Sequence, residues 1–209
     1  MKIPPRYPVR NNNCPGKTSG FTLVELLTVI TIIGILAALV LGTFEYAQQK
    51  GARSKAEAEI SALEAALEMY KADKGMYPRD ADQVDGNGNV TEESPTDKLN
   101  AQNDSNPGTD LYKKASLYLY KELSGDPDTD PLTPPTAKQY FEFKPSQLQI
   151  VNGQVRYIAD PWGASYGYST ANNKDATKGY NPTFDLWSTG DGPASPSGTP
   201  DQSKWIKNW

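Results

Sequence analysis

The stretch KTSGFTLVELLTVITIIGILAALVLGTF, from Lys17 to Phe44, decides the fold of this 209-residue chain. Its nineteen residues from Leu26 to Phe44 carry no charge. As a helix they would extend about 28 Å, close to the hydrocarbon thickness of a bilayer. Glu25 comes directly before this run, although a carboxylate inside a bilayer costs about 2.5–3.5 kcal/mol. The stretch predicts a membrane-spanning helix over residues 21–44, in which Glu25 either reaches the polar interface or has a specific role.

The charge of the chain is divided between a basic leader and an acidic remainder. The first twenty residues contain no acid and four cations, which are Lys2, Arg6, Arg10 and Lys17. Because the net charge is -4, the remainder holds -8. The basic side of a membrane anchor stays in the cytoplasm, so we expect the C-terminal body to lie outside. The acidic body argues against a nucleic-acid partner, which would need clustered Lys and Arg.

The composition limits the metal chemistry of the chain. There is no histidine, and the single cysteine is Cys14 in the leader. The body can therefore form neither an internal disulfide nor a thiolate or imidazole metal site. Oxygen ligands remain, and they are the ligands that calcium prefers. The loop over residues 190–203 consists mostly of Gly, Pro, Ser and Thr with two aspartates, and either a cation or the packing of Trp205 and Trp209 would order it.

The helix is predicted to continue beyond the apolar run. An apolar stripe follows spacings of 4, 3, 4 and 3 along Ala56, Ile60, Leu63, Leu67 and Tyr70. A glycine C-cap at residue 75 and a proline stop at residue 78 end the pattern. One helix over about residues 21–74 is therefore expected to be half membrane anchor and half support for a soluble domain.

The segment 79–137 is interpreted as an exposed insertion, because its first part is rich in Asp, Asn, Gly, Ser, Pro and Thr. Within it, DGNGN (85–89) and DPDTD (126–130) resemble calcium loops, but the later positions of the helix–loop–helix pattern are wrong in both. Solvated acidic loops are the preferred interpretation. A short helix between them is predicted to be capped by Asp110 and Gly125.

Four short segments are predicted as strands because they are rich in Tyr, Phe and Val and lie between turn residues: 138–143, 154–159, 164–170 and 183–189. Asn152-Gly153 is a hairpin signal. The predicted fold class is α+β, in which the long helix packs through its second half on a small antiparallel sheet.

The residues KTSG-FTLVE resemble the class III signal of type IV pilins and pseudopilins. The resemblance implies that a prepilin peptidase removes residues 1–20 by cleaving after Gly20, and that the new N-terminal Phe21 is N-methylated. The fifth residue of the mature chain is nearly always Glu in this family, and here it is Glu25. In such filaments the carboxylate neutralises the Phe21 amine of a neighbouring subunit, which makes a buried charge tolerable.

Three C-terminal stretches are similar to the major pseudopilins of type II secretion: DPWGASYGY (160–168), FDLWSTGDG (184–192) and GTPDQSKWIKNW (198–209). The resemblance implies that calcium is bound in the last loop by the carboxylates of Asp191 and Asp201 and by backbone carbonyls near Ser188 or Thr189. Two departures from the family pattern are a shortened STGDG and Gln202 in place of an aspartate.

The resemblance implies a structural subunit rather than an enzyme: a single-pass inner-membrane protein whose domain over residues 45–209 lies in the periplasm. It would self-associate into a helical filament, with other pseudopilins and inner-membrane secretion components as partners, and help to export folded proteins. A type IV pilin is the alternative within the superfamily. From another class, the alternative is a membrane-anchored calcium-dependent binding protein or hydrolase, which would not need cleavage at Gly20.

Overall fold

The computed structural model describes residues 20–191 and 202–209, with the backbone alone for residues 40–44. Helix α1 covers Leu23–Lys74, which confirms the long predicted helix. It ends at Gly75, whose φ of 81° is left-handed and whose N–H donates to the Lys71 carbonyl at 2.8 Å. The chain divides into two compact units, of which the first ends at Glu45 and the second is Tyr46–Trp209.

In the first unit the described side chains of the helix are mostly apolar and exposed. Every large apolar side chain from Phe21 to Leu39 is more than half exposed, and Phe21 itself is 86% exposed. Across the residues that the structure describes, no helix has both the length and the apolar character that a membrane span requires, so the predicted span over 21–44 is not confirmed.

In the second unit the predicted apolar stripe of α1 forms one wall of the core. All five of its residues are at most 8% exposed, which confirms the stripe. The core residues that pack with it come from one short helix, from strands and from positions next to strands, and they include Leu119, Leu123, Val155, Ile158, Tyr166, Tyr168, Phe184 and Leu186. Burial of these side chains is the main force that holds the second unit together.

Two shorter helices follow α1 in the chain. Helix α2 is a single turn over Pro95–Lys98, and helix α3 covers Asp110–Ser124. The N-cap of α3 is Thr109, whose hydroxyl accepts the Tyr112 N–H at 3.4 Å, so the prediction of Asp110 as the cap was wrong by one residue. Gly125 is the C-cap as predicted, with a φ of 70°.

The strands of the described residues form three small antiparallel sheets. The first pairs β1 (Gln83–Val84) with β2 (Val90–Glu92), and the second pairs β3 (Leu148–Val151) with β4 (Gln154–Ile158). The third has the order β5-β6-β7, over Gly167–Ser169, Asp185–Ser188 and Ile206–Lys207. The predicted α+β class is confirmed, with several small sheets in place of one.

Three of the four predicted strands exist, as β4, β5 and β6. The Asn152-Gly153 turn joins β3 to β4 with φ values of 54° and 78°, as a hairpin of this type requires. The strand predicted at 138–143 was wrong. The backbone N–H groups of Tyr140 and Phe141 donate instead to the Leu123 carbonyl at 2.8 and 2.9 Å, so this segment completes the C-terminal end of α3.

The segment 79–137 is not uniformly exposed, which corrects the prediction. Leu99 and Ala101 are fully buried, and Asp97 is 1% exposed. The Arg79 guanidinium donates to both Asp97 carboxylate oxygens at 2.7–3.0 Å, and the Thr170 hydroxyl donates to the same carboxylate at 2.8 Å. The Asp97 carboxylate can be buried because partners distant in the sequence satisfy it. The exposed parts include the β1–β2 hairpin, whose strand residues all face solvent, and residues 131–137.

Candidate functional site

The first candidate site is the start of α1, where Thr22 and Glu25 form hydrogen bonds with each other. The Glu25 Oε2 atom accepts the Thr22 backbone N–H at 2.8 Å and the Thr22 hydroxyl at 2.7 Å. In return, the Thr22 Oγ1 atom accepts the Glu25 N–H at 3.2 Å. Because α1 begins at Leu23, Thr22 occupies the N-cap and Glu25 the third helical position, which makes a capping box. The T-x-x-E spacing before an apolar run is a sequence signal for this arrangement, although only the charge of Glu25 was considered above.

Gly20 and Phe21 precede the helix and are both exposed. The peptide bond between them is therefore outside regular secondary structure and open to approach. Lys17 lies outside the described residues. A protease can reach a bond in this position without unwinding the helix.

The second candidate site lies where β6 ends. Ser188 and Thr189 are buried, while Asp191 is exposed. The Gly190 N–H donates to the Ser188 hydroxyl oxygen at 3.0 Å, and the Thr189 hydroxyl is buried with no hydrogen-bond partner in the described part of the chain. Asp201 lies outside the described residues. The structure thus describes one of the two predicted carboxylates and both residues predicted to offer carbonyls.

Asp160 organises this region, which the sequence analysis did not foresee. Its Oδ1 atom accepts the Trp162 and Ala164 N–H groups at 3.0 and 2.8 Å, and its Oδ2 atom accepts the Ser188 hydroxyl at 2.6 Å. Burial raises the pKa of the Asp160 carboxyl, and the three donors oppose that rise. Since Ser188 also holds the Gly190 amide, one carboxylate links the 160–164 turn to the beginning of the C-terminal loop.

Asp191 has a cation beside it. The Lys204 ammonium is 3.6 Å from the Asp191 carboxylate, and the Lys204 carbonyl accepts a hydrogen bond from Arg53 at 3.3 Å. Gly190 has a φ of 67°, and a Cβ there would lie 2.6 Å from the Lys204 carbonyl oxygen. A side chain at position 190 would therefore push apart the two ends of the loop.

The end of the chain is held by aromatic rings. Trp187 stacks on Trp205 with 6.0 Å between ring centroids and meets Trp209 edge-on at 5.8 Å. Tyr180 stacks on Trp209 at 4.7 Å. The Trp187 indole donates to the Tyr112 hydroxyl at 2.9 Å, which satisfies a buried polar atom. Packing of Trp205 and Trp209 therefore fixes the C-terminal end of the loop. Such packing was one of the two ways of ordering residues 190–203 that the sequence offered, and cation binding was the other.

The first aspartate of each acidic loop already accepts hydrogen bonds from its own neighbourhood. The Asp85 carboxylate accepts the N–H groups of Asn87 and Asn89 at 2.9 and 2.8 Å, and the Asn89 side-chain amide holds the pKa of this carboxyl below its usual value. Asp126 accepts the Tyr120 hydroxyl at 2.8 Å and is buried, which corrects its interpretation as solvated. Over residues 20–191 and 202–209, no three acidic, His or Cys side chains converge as a metal cluster.

Comparisons with known proteins agree with this architecture. A family model described as "Prokaryotic N-terminal methylation motif" matches residues 16–41, and one described as "Type II secretion system (T2SS), protein G" matches residues 44–127. The type II secretion system core protein G of Dickeya chrysanthemi is 30% identical over 191 residues, which cover 91% of this chain and 85% of the relative. The chain belongs to the protein G family of type II secretion systems.

Members of this family are major pseudopilins, so the chain is a structural, non-enzymatic protein with an N-methylation motif. The core protein G of Klebsiella pneumoniae is 27% identical over 91% of this chain and 93% of its own length. That of Aeromonas hydrophila is 48% identical over 62 residues, which are 30% of this chain and 43% of the relative. No solved structure matches the chain.

We expect Asp160→Ala to lower the free energy of unfolding by about 2–4 kcal/mol, because two amides and the Ser188 hydroxyl lose their acceptor. Urea unfolding of a fragment that begins at Tyr46 measures this. Asp160→Asn keeps one oxygen acceptor and should lose less. The control is Asp128→Ala, which removes an exposed carboxylate and should change stability by less than about 0.5 kcal/mol. Equal losses in the Asp160 and Asp128 variants would contradict the linking role of Asp160.

Proposed function

We propose that this pseudopilin assembles through its N-terminal helix into a periplasmic filament, built from the inner membrane, that helps to export folded proteins. The observation that supports this most directly is the uncovered apolar surface of α1 from Phe21 to Leu39. A contiguous exposed surface of this size marks a contact with lipid or with other chains. Lipid covers it before assembly, and the helices of neighbouring subunits cover it in the filament.

The proposed topology follows from charge and processing. The leader over residues 1–20 lies in the cytoplasm, residues 21–44 cross the membrane, and residues 45–209 lie in the periplasm. Prepilin peptidase cleaves after Gly20, and Phe21 is then N-methylated. Other pseudopilins and inner-membrane secretion components are the further partners of the mature chain.

Intact-mass analysis of protein extracted from membranes tests the processing. The expected mass is that of residues 21–209 plus one methyl group. A strain without prepilin peptidase provides the control and should yield the chain with its leader. A mature form that retains Lys17, or one that begins beyond residue 40, would contradict the proposed cleavage.

Glu25 has two tasks in this proposal. Within one chain its Oε2 atom takes both bonds from Thr22. The other carboxylate oxygen is then available to the Phe21 amine of a neighbouring subunit. A charge buried among packed helices is tolerable only when it is paired, and removal of one partner of such a pair is costly. The charge of Glu25 should therefore matter for assembly beyond its contribution to the helix start.

Two variants separate these tasks. Glu25→Gln keeps the capping box, because glutamine also serves at the third helical position, but it removes the charge. We expect it to abolish filament assembly as Glu25→Leu does, while the chain is still inserted and its soluble domain folded. Thr22→Val removes the capping hydroxyl at a cost of about 1 kcal/mol and should leave assembly intact.

Filament yield, measured by shearing and electron microscopy, distinguishes the outcomes. Filaments from Glu25→Gln at the unmodified level would show that helix capping suffices and that no ion pair with Phe21 forms.

We also propose that calcium orders the C-terminal loop. The residues present fit a hard cation in part: Asp191 supplies a carboxylate, Ser188 and Thr189 supply backbone carbonyls, and the buried Thr189 hydroxyl lacks a partner in the described chain. Asp201 would supply the second carboxylate. Bound calcium would supply charge neutralisation for the two aspartates and closure of the loop. Lys204 would compete with it for Asp191.

The proposed calcium binding is tested by measuring the melting temperature of the protein in the presence of calcium, of a chelator and of magnesium. A ligand present at a hundredfold excess over its dissociation constant stabilises the native state by about 2.7 kcal/mol, so the melting temperature should rise by several degrees with calcium and much less with magnesium. Asp191→Ala and Asp201→Ala should each abolish the response.

Lys204→Gln should enlarge the calcium response, because it removes the competing cation, and Asp128→Ala should leave it unchanged. A response that survives both aspartate changes and is lost in Asp85→Ala would place the site in the β1–β2 hairpin instead.

A further inference from the structure

A basic, aromatic groove lies on the second unit close to its first residue. It has a volume of ≈ 340 Å³, and we call it the headgroup groove. Helix α1 supplies Tyr46, Gln49, Lys50 and Arg53, the 160–164 turn supplies Trp162, and the chain before β7 supplies Lys204. Asp191 is the carboxylate among the residues that line it.

Only two of the three cationic side chains in the groove have an acidic partner among the described residues. Arg53 forms an ion pair with Glu57 at 3.2 Å, and Lys204 lies 3.6 Å from Asp191. Lys50 is exposed and has no acidic partner among the described residues. The groove therefore offers one uncompensated ammonium beside two further cations, which is suited to an anion.

Two aromatic side chains flank these cations. Tyr46 is 71% exposed and Trp162 is half-buried. Both have an apolar body and a polar tip, and such rings are enriched at the level of lipid headgroups. Together with lysine and arginine they have the composition of a membrane-interface surface rather than that of a site for a free soluble anion.

The groove must lie near the bilayer, because few residues separate it in the chain from the apolar segment. This limit holds for any angle between the two units. Tyr46 follows Phe44 by two residues and Lys50 follows it by six. Because α1 is helical through all three residues, its rise of about 1.5 Å per residue places them about 3 and 9 Å further along the helix axis. The polar layer on each side of a bilayer is about 5–8 Å thick. The groove is thus confined to the neighbourhood of the headgroups.

We propose that the headgroup groove binds the phosphate of anionic phospholipids in the leaflet that the soluble unit faces. This inference rests on the proposed insertion of residues 21–44 in the membrane. Binding holds the soluble unit against the bilayer before assembly, and a subunit that joins the filament must release the lipid. Each lysine or arginine near an anionic surface contributes about a fivefold preference for that surface.

Hydrogen exchange of the full chain in lipid nanodiscs tests the proposal. One set of discs contains phosphatidylcholine alone, and the other contains about a third phosphatidylglycerol. We expect backbone amides of the 160–164 turn and of residues 202–205 to exchange several-fold more slowly in the anionic discs. The difference should shrink at about 1 M salt, where the screening length is about 3 Å.

Lys50→Glu should remove the difference between the two kinds of disc, and Lys50→Gln should reduce the difference by less than Lys50→Glu does. The matched control is Lys98→Glu, which makes the same charge change at an exposed lysine away from the groove. Near-ultraviolet circular dichroism confirms that each variant is folded.

Three results would overturn the inference. The first is equal exchange in both kinds of disc, and the second is protection that Lys98→Glu removes as effectively as Lys50→Glu. The third is protection that appears in neutral discs only when each disc holds two copies, which would assign the groove to a second copy of the chain. Recovery of the chain in the disc fraction is measured separately, so failure of membrane insertion is distinguished from failure of the groove to bind lipid.

Discussion

The structure depends on one helix that meets two different environments. Along its second half, α1 buries an apolar stripe against α3 and the strands, and the opposite face is polar. From Leu23 to Leu39 its large apolar side chains lie all round the helix and are more than half exposed. A helix that is apolar all round requires a cover on every side. The second unit therefore has its own core, whereas the first half of α1 needs lipid or other helices.

The C-terminal region solves a different problem, because it contains little apolar surface outside its tryptophans. Its order comes from a few polar side chains that each form more than one hydrogen bond. Asp160 holds its own turn and Ser188, and Ser188 holds Gly190. On the other side of the loop, β7 pairs with β6 and the Trp187–Trp205 stack closes the cluster. Both ends of the loop are thus fixed by the fold before any cation binds, which lowers the entropy cost of ordering what lies between.

The features that the sequence predicted correctly are local, and the larger ones that it missed depend on partners distant in the sequence. The stripe of α1, the Gly125 cap and the Asn152-Gly153 hairpin follow from spacings of a few residues. The 138–143 segment has strand-like composition, but its N–H groups bond to the end of α3. Asp97 looked like part of a solvated loop, yet Arg79 and Thr170, 18 and 73 residues away, bury it. No local sequence pattern indicates partners that are so distant in the chain. The Thr22–Glu25 box is the exception, since its spacing was visible in the sequence.

That box also bears on how Glu25 acts in the proposed filament. The Thr22 amide that Glu25 accepts belongs to the residue next to Phe21, so cleavage after Gly20 would create a positive amine beside the same carboxylate. The mature chain can then balance this charge within itself, and a neighbouring amine must displace or share that contact. Assembly would exchange one ion pair for another rather than create a pair from two isolated charges. Such an exchange would change the electrostatic energy little, so in the proposed filament the apolar contacts of α1 would supply the driving force and Glu25 would set the register.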